Sequence, residues 1–354
     1  MKKALIAMSG GVDSSVAAFL TQQDGFDCIG CTMKLYENED AGLARTKTCC
    51  SLDDVEDARR VAYRLHMPYY VFNFTADFRR LVMEKFARCY AQGVTPNPCI
   101  DCNRYMKFDL LHRRAEVLGC SAVVTGHYAH IEQCGGEWFL KKAADASKDQ
   151  SYVLYAMTQE QLAHTRFPLG TLCKSDVRRI AQENGFVNAD KPDSQDICFV
   201  PDGDYAAAVE RICGRSFPCG DFITADGSIV GRHNGIIHYT IGQRKGLGIA
   251  STEPYFVCGI RPADNTVLLG RKDALFRSEA DAADFNWISG RTPQSPFTCT
   301  VKLRYRQPEQ PVTVVPTGAD TVHLIFDAPQ RAVTPGQAAV LYDGDLVLGG
   351  GTIL

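Results

Sequence analysis

The sequence predicts an α/β protein: a doubly wound parallel sheet, then a small central domain, then a C-terminal antiparallel β-barrel. Three observations carry this. Short apolar strands alternate with helix-period segments through the first half of the chain. The first strand runs directly into a Ser/Gly turn, Ser9-Gly10-Gly11-Val12-Asp13-Ser14-Ser15, that opens a helix. After about Gly203 glycine becomes frequent and strands shorten, and residues 298–354 break into short strands and turns. The expected domains are residues 1–202, 203–285 and 286–354.

The elements follow in order. Strand 4–8 leads into helix 14–22 and strand 27–33. Helix 52–65 places Val55, Ala58, Val61, Ala62 and Leu65 on a 3.6-residue period. Strand 69–72 and helix 78–92 come next, then a polar turn with prolines at 96 and 98, then helix 105–118 and strand 122–126. A hairpin is expected over 129–142, turning at Gly135-Gly136, with short helices near 151–157, 159–163 and 174–184. The last domain shows strands at 298–305, 312–317, 321–326, 337–342 and 346–349, with a hairpin turn at Tyr342-Asp343-Gly344-Asp345.

Composition sets the bounds. The 354 residues are 45% hydrophobic and 22% charged, enough for ordinary cores in two or three domains. A net charge of -3 neither requires nor excludes a nucleic-acid partner, because an acidic average can hide a basic face. No segment approaches the ~20 apolar residues needed to span a bilayer. Met1-Lys2-Lys3 leads into a first strand rather than a signal peptide. The 15 cysteines are odd in number and sit mostly in apolar contexts, which predicts reduced thiols and a cytoplasmic protein. Cys28, Cys120, Cys173, Cys213, Cys258 and Cys299 read as small core residues.

The turn after the first strand carries chemistry. It aims backbone N–H groups and the positive end of a helix at one point, where phosphate fits. It has no Gly-Lys-Ser/Thr and no third glycine of a dinucleotide fingerprint. That pattern suits a site that holds pyrophosphate while the α-phosphate reacts. Ala7, Met8, Ser9, Gly10, Gly11, Val12, Asp13 and Ser14 are its candidate residues. Asp13 is expected to ligate Mg²⁺ or to orient the turn. Met33 ends the second strand, where it packs on an adenine or simply in the core. Gly126, ending a strand, leaves room for a nucleotide, and His127 and Tyr128 follow at the same rim.

Two cysteine segments stand apart from the rest. Cys99-Ile100-Asp101-Cys102 follows Pro96-Asn97-Pro98, and alone a CxxC pair fits a redox pair, half a zinc site or half an iron–sulfur site. The stretch Lys191-Pro192-Asp193-Ser194-Gln195-Asp196-Ile197-Cys198 is polar up to its cysteine, so it reads as a surface loop. Two such thiols beside an adenylating turn suggest one scheme. ATP activates an oxygen, and a sulfur nucleophile displaces AMP.

These residues resemble the bacterial tRNA-specific 2-thiouridylases, within the pyrophosphatase-loop ATPases. The likeness spans the chain: the 9–15 turn, Thr95-Pro96-Asn97-Pro98 with Cys102-Asn103, Thr125-Gly126-His127-Tyr128-Ala129, Lys148-Asp149-Gln150-Ser151-Tyr152, Asp193-Ser194-Gln195 with Cys198-Phe199, and 239–248. The resemblance implies an adenine-nucleotide alpha-hydrolase-like fold. It implies ATP-dependent adenylation of the C2 oxygen of wobble uridine 34 in the tRNAs for Lys, Glu and Gln. Cys198 would carry a persulfide from a cysteine desulfurase or relay protein. Cys102 would be the catalytic thiol that releases the sulfur, with a Cys102–Cys198 disulfide left behind. Asn97, Pro98, Cys99, His127, Lys148, Asp149, Gln150, Arg304, Tyr305 and Gln337 would contact tRNA. Many relatives carry aspartate where this chain has Cys99. An alternative therefore stays open, a [4Fe-4S] cluster held by Cys99, Cys102 and Cys198, as does an ATP-dependent ligase acting on a small molecule. A monomer binding one tRNA is expected.

Overall fold

The computed structural model describes residues 2–37, 40, 42, 52–193 and 197–354. Cys49-Cys50 and residues 194–196 lie outside the described residues. Strands β1 (Lys3–Ala7), β2 (Asp27–Lys34), β3 (Tyr69–Asn73) and β4 (Ala122–Val124) are parallel. A hairpin of β5 (His130–Cys134) and β6 (Glu137–Lys141) follows, and β7 (Thr165–Arg166) then joins the sheet. The sheet order is β3-β2-β1-β4-β7. It reverses between β1 and β4, and that switch point is where such sheets bind ligands. Ala4, Leu5 and Ile6 are wholly buried, as a central parallel strand covered on both faces requires. Helices α1 (Val12–Gln23) and α2 (Leu52–Arg64) and the helix Lys174–Glu183 cover one face. Helical residues 75–91 cover the other.

The helix expected from residue 105 begins at Pro98 instead and runs to Val117. Asn97 is its N-cap, accepting the Cys99 N–H on Oδ1, and Pro98 sits at the first helical position. Cys99 and Cys102 therefore lie on a helical turn and not in a loop. From Cys102 to Leu110 the helix is wound as a π-helix, a rare form concentrated at functional sites.

The central domain contains the helix Tyr205–Cys213 and four strands, β8 (Gly220–Ile223), β9 (Ile229–His233), β10 (Phe256–Arg261) and β11 (Thr266–Gly270). Its Phe222, Val257 and Val267 share one apolar core with Phe78, Phe86 and Phe199 of the first domain. The barrel strands are β12 (Phe276–Trp287), β13 (Phe297–Lys302), β14 (Gln310–Pro316), β15 (Val322–Arg331), β16 (Ala338–Asp343) and β17 (Leu346–Ile353). They run in the order β12-β15-β14-β13-β16-β17, and β12–β17 pairing closes the barrel. The β5–β6 hairpin extends it through Lys141 and Leu346. Among the described residues no helix is long and apolar enough to cross a membrane.

Two expectations change. β13 ends at Lys302, short of the expected residue 305, so Arg304-Tyr305-Arg306 lie in a turn. The cause is Arg304, whose guanidinium turns inward to donate to Ile241 O, Ala332 O and Thr334 Oγ1, at 3.1, 3.0 and 2.6 Å. It pins the central domain to the barrel. Arg304→Ala is expected to lower unfolding free energy by about 2 kcal/mol, read by urea denaturation, because buried carbonyls lose a charged donor. Cys173, read as a core residue, is exposed at the N-cap of the helix Lys174–Glu183. Cys28 and Cys120 are buried, and Cys213, Cys258 and Cys299 are partly so.

Candidate active site

β1 delivers the chain to the turn, and its neighbour β2 fixes the exit. Met8 N–H donates to Cys31 O at 2.7 Å, and Thr32 Oγ1 donates to Met8 O at 2.6 Å. Gly10 then adopts φ +76°, and a Cβ there would lie 2.4 Å from the Asp54 carbonyl oxygen. Gly11 caps α1 with no side-chain hydrogen bond. The first-turn N–H groups are left to bind an anion. The buried hydroxyls of Ser14 and Ser15 donate to Gly11 O at 3.0 and 3.1 Å. Ser14 Oγ also accepts the Ser9 N–H at 3.2 Å. The hydroxyls thus shape the turn. Gly126 is bare for an internal reason: a Cβ would sit 2.7 Å from Asp13 C and Ser14 N. The gap expected to admit a nucleotide is filled by the start of α1. Met33 and Ala7 are half-buried and pack on the apolar core.

Asp13 sits in a chain of charges that the sequence did not reveal. Its carboxylate takes Lys174 Nζ on both oxygens, at 2.7 and 2.8 Å, and Tyr128 OH at 2.8 Å. Lys174 Nζ also lies 2.8 Å from Asp193, whose other oxygen takes Lys148 Nζ at 2.8 Å. Arg178 adds a longer contact to Asp193. Although burial opposes it, hydrogen bonds from Lys148 and Lys174 hold the Asp193 carboxyl below the usual range. Asn188 donates to Gly10 O and Ser15 Oγ, both at 2.9 Å, and Lys191 bridges Gly10 O to Asp54 and Asp57. The segment that leads to Cys198 is thereby tied to the turn by Asn188, Lys191 and Asp193.

The thiols lie beyond this clamp. Tyr36 OH donates to Cys198 O at 2.7 Å, and the next residue, Phe199, is buried edge-on against Phe78 and Phe86. Cys198 is thus fixed along the backbone through its carbonyl and the residue that follows it. Cys102 and Cys198 are half-buried and pack on the same apolar core. Burial pushes the Cys102 thiol up to about 11; Lys107 opposes the rise, and Cys99 and Asp101 add to it. Cys99 is exposed, yet the protein around it also pushes its thiol up, again opposed by Lys107.

The comparisons with known proteins agree across the chain. Residues 2–202 match a family described as the tRNA methyl transferase HUP domain. Residues 208–271 match a tRNA methyl transferase PRC-barrel domain, and 277–353 an aminomethyltransferase β-barrel domain. The tRNA-specific 2-thiouridylase MnmA of Clostridioides difficile (strain 630) is 49% identical over 99% of this chain and 98% of that protein. The chain belongs to the tRNA-specific 2-thiouridylase family. A second relative, the MnmA of Clostridium acetobutylicum, is 46% identical over 99% of each chain. A 4-thiouridine synthetase solved with RNA and bound ATP is similar over 56% of this chain and 45% of its own, at 20% identity and a TM-score of 0.37.

Within this family member, the residues expected at tRNA are mostly engaged inside the protein. Asn97 caps the Cys99 helix, and Pro98 is buried. His127 is buried between Phe108 and Phe167 and accepts Lys107 Nζ on Nε2 at 3.2 Å. Burial and the Lys107 charge depress its pKa, so it is neutral, with its proton on Nδ1 toward Thr125 Oγ1. Asp149 accepts the Ala143 and Ser151 N–H groups, and Gln150 Oε1 accepts the Tyr128 N–H. Gln337 Nε2 donates to Thr95 O at 2.8 Å, docking the barrel on the loop before Cys99. Tyr305 is exposed, near Asp149 and Cys99. Together these residues set the walls of the site, with Lys148, Cys99 and Tyr305 on its accessible side.

Among the described residues, no group of three or more His, Cys, Asp or Glu side chains is placed to hold a metal ion. Cys99, Cys102 and Cys198 do not form a cluster cage in this arrangement. Mg²⁺ places a lighter demand, since it keeps waters and phosphate oxygens and needs only one or two carboxylates. Asp13, beside the helix start, would meet that need by giving up the Lys174 ammonium that now sits on both its oxygens.

Proposed function

We propose that this protein is an ATP-dependent tRNA-uridine 2-sulfurtransferase acting on wobble uridine 34 of the tRNAs for Lys, Glu and Gln. The observation that carries the reading is the tie between the phosphate turn and the segment leading to Cys198. It links the phosphate-type turn to the stretch of chain that carries the Cys198 thiol. The 9–15 turn would receive ATP with its open N–H groups on the phosphates, and Asp13 would hold Mg²⁺ in exchange for the Lys174 ammonium. Bound Mg²⁺ would offset the charge of the departing pyrophosphate.

The uridine C2 oxygen attacks the α-phosphate, and pyrophosphate leaves. The oxygen becomes part of AMP, a far better leaving group. Cys198 receives one sulfur atom as a persulfide from a cysteine desulfurase or a relay protein. Cys102 thiolate attacks Cys198 Sγ, forming the Cys102–Cys198 disulfide and expelling hydrosulfide. Hydrosulfide adds at C2 and AMP departs, leaving 2-thiouridine. A cellular dithiol then restores both cysteines. A wobble base lies in a loop, so extruding it costs little. The lack of a three-cysteine cage among the described residues supports this persulfide route over a cluster, and a ligase acting on a small metabolite has no use for two thiols. The protein works as a cytoplasmic monomer on one tRNA.

The test supplies purified enzyme, ATP, Mg²⁺, tRNA and a desulfurase with cysteine. Equal amounts of 2-thiouridine and AMP are expected. AMP formation without thiolated tRNA, on any of the three tRNAs, contradicts the assignment.

A further inference from the structure

Cys102 needs a partner to become a nucleophile, and the π-helical stretch identifies one. In an α-helix, residue i+5 lies roughly 140° around the axis from residue i. In the stretch Cys102–Leu110 the repeat is i→i+5, as the Leu111 N–H to Met106 O bond at its end shows. Lys107 stands five residues after Cys102. The winding therefore returns it to the Cys102 side of the helix. Among the described residues Lys107 has no carboxylate within ion-pair distance. Among the described residues its hydrogen bond is to the neutral His127 ring at 3.2 Å, which steers the ammonium without neutralising its charge.

We propose that Lys107 is a positioning residue for sulfur release, set over Cys102 by the π-helix and held there by His127 so that its charge stabilises the Cys102 thiolate. The step is a proton loss: Cys102 S–H gives its proton to solvent, and the ammonium faces the sulfur anion. The other charged or titratable groups facing this thiol are accounted for. Asp101 is paired with Lys85 at 2.7 Å, and Arg104 with Asp284 of the barrel. Cys99 is a neutral thiol at neutral pH, and both thiols feel the Lys107 charge. Tyr305 faces Cys99 from the barrel.

The inference rests on the proposed role of Cys102, but its test needs neither tRNA nor a sulfur donor. Iodoacetamide alkylation of Cys102 in the whole protein is followed against pH, with fragment-ion mass spectrometry separating it from Cys99. Reactivity tracks the thiolate, so one pKa unit reads as about tenfold in rate. In the wild type the rate is expected to climb with pH toward about 11, where burial pushes the Cys102 thiol. Lys107→Met is expected to slow Cys102 alkylation about tenfold at pH 8 and to move the profile upward. Lys107→Arg is expected to restore most of the rate, and Lys107→Gln repeats the neutral test if the methionine variant does not fold. An unchanged profile in the neutral variants, or an arginine variant no better than methionine, overturns the proposal. Retained thiolation by Cys102→Ser would instead defeat the role of Cys102 itself, and the two failures are distinguishable.

Discussion

Cys198→Ser and Cys102→Ser are each expected to abolish tRNA thiolation, by roughly 10³-fold or more, while tRNA binding and ATP-dependent AMP transfer persist. A serine hydroxyl carries no persulfide and takes no part in thiol–disulfide exchange. The structure predicts that neither change disturbs the fold. Cys198 is held by the Tyr36 hydrogen bond to its carbonyl and is followed by the buried Phe199 ring, and serine preserves both. Cys102 is a half-buried thiol within a continuous helix, and its neighbours Asn103 and Met106 keep their contacts. Combining the two changes should cost little more than either alone, since in the proposed mechanism both act in one step. The check is 2-thiouridine content of product tRNA beside a filter-binding isotherm. Turnover retained in either variant contradicts the thiol pair.

Gly10→Ala is expected to lower pyrophosphate release about 100-fold, a misplacement of the order that 1 Å at a reacting centre produces. The reason is steric and conformational together. Gly10 lies at φ +76°, and its new Cβ would meet the Asp54 carbonyl oxygen at 2.4 Å. Left-handed backbone costs a side-chain-bearing residue about 1–3 kcal/mol, and the overlap forces the turn or α2 to move. Moving the turn also loosens Asn188 and Lys191, which both hold Gly10 O. ATP-driven pyrophosphate release, measured with tRNA present, reads the effect. An alanine variant with wild-type release would show that the turn does not hold the reacting phosphates.

Much of this was legible from residue order alone. The parallel sheet followed from apolar strands alternating with helical periods, and the turn at its switch point from a strand that ends in Ser and Gly. The helix start at Pro98 was also written in the sequence, as an Asn-Pro cap, but the prolines read more readily as a turn. The strand Phe276–Trp287 was hard to see, because its exposed half carries Arg277, Glu279 and Asp281. The Asp13–Lys174–Asp193 chain joins residues far apart in sequence, so no spacing announces it. Lys107 was hidden for a different reason. An i+5 separation has no meaning in an α-helix and acquires one only in the π-helical winding. Arg304 and Gln337 look like surface polar residues in sequence. The structure shows them fastening domains, with donors directed at carbonyls that only the fold brings near.

The central claim is that sulfur travels on Cys198. Its most direct test is the mass of the cysteine peptides after the wild-type protein is incubated with a desulfurase and cysteine, without tRNA and under anaerobic conditions. The account predicts one added sulfur atom on the peptide containing Cys198, absent in Cys198→Ser and lost again when ATP and substrate tRNA are supplied. No added sulfur on that peptide, with thiolation supported only by protein that carries iron and sulfide, would contradict it.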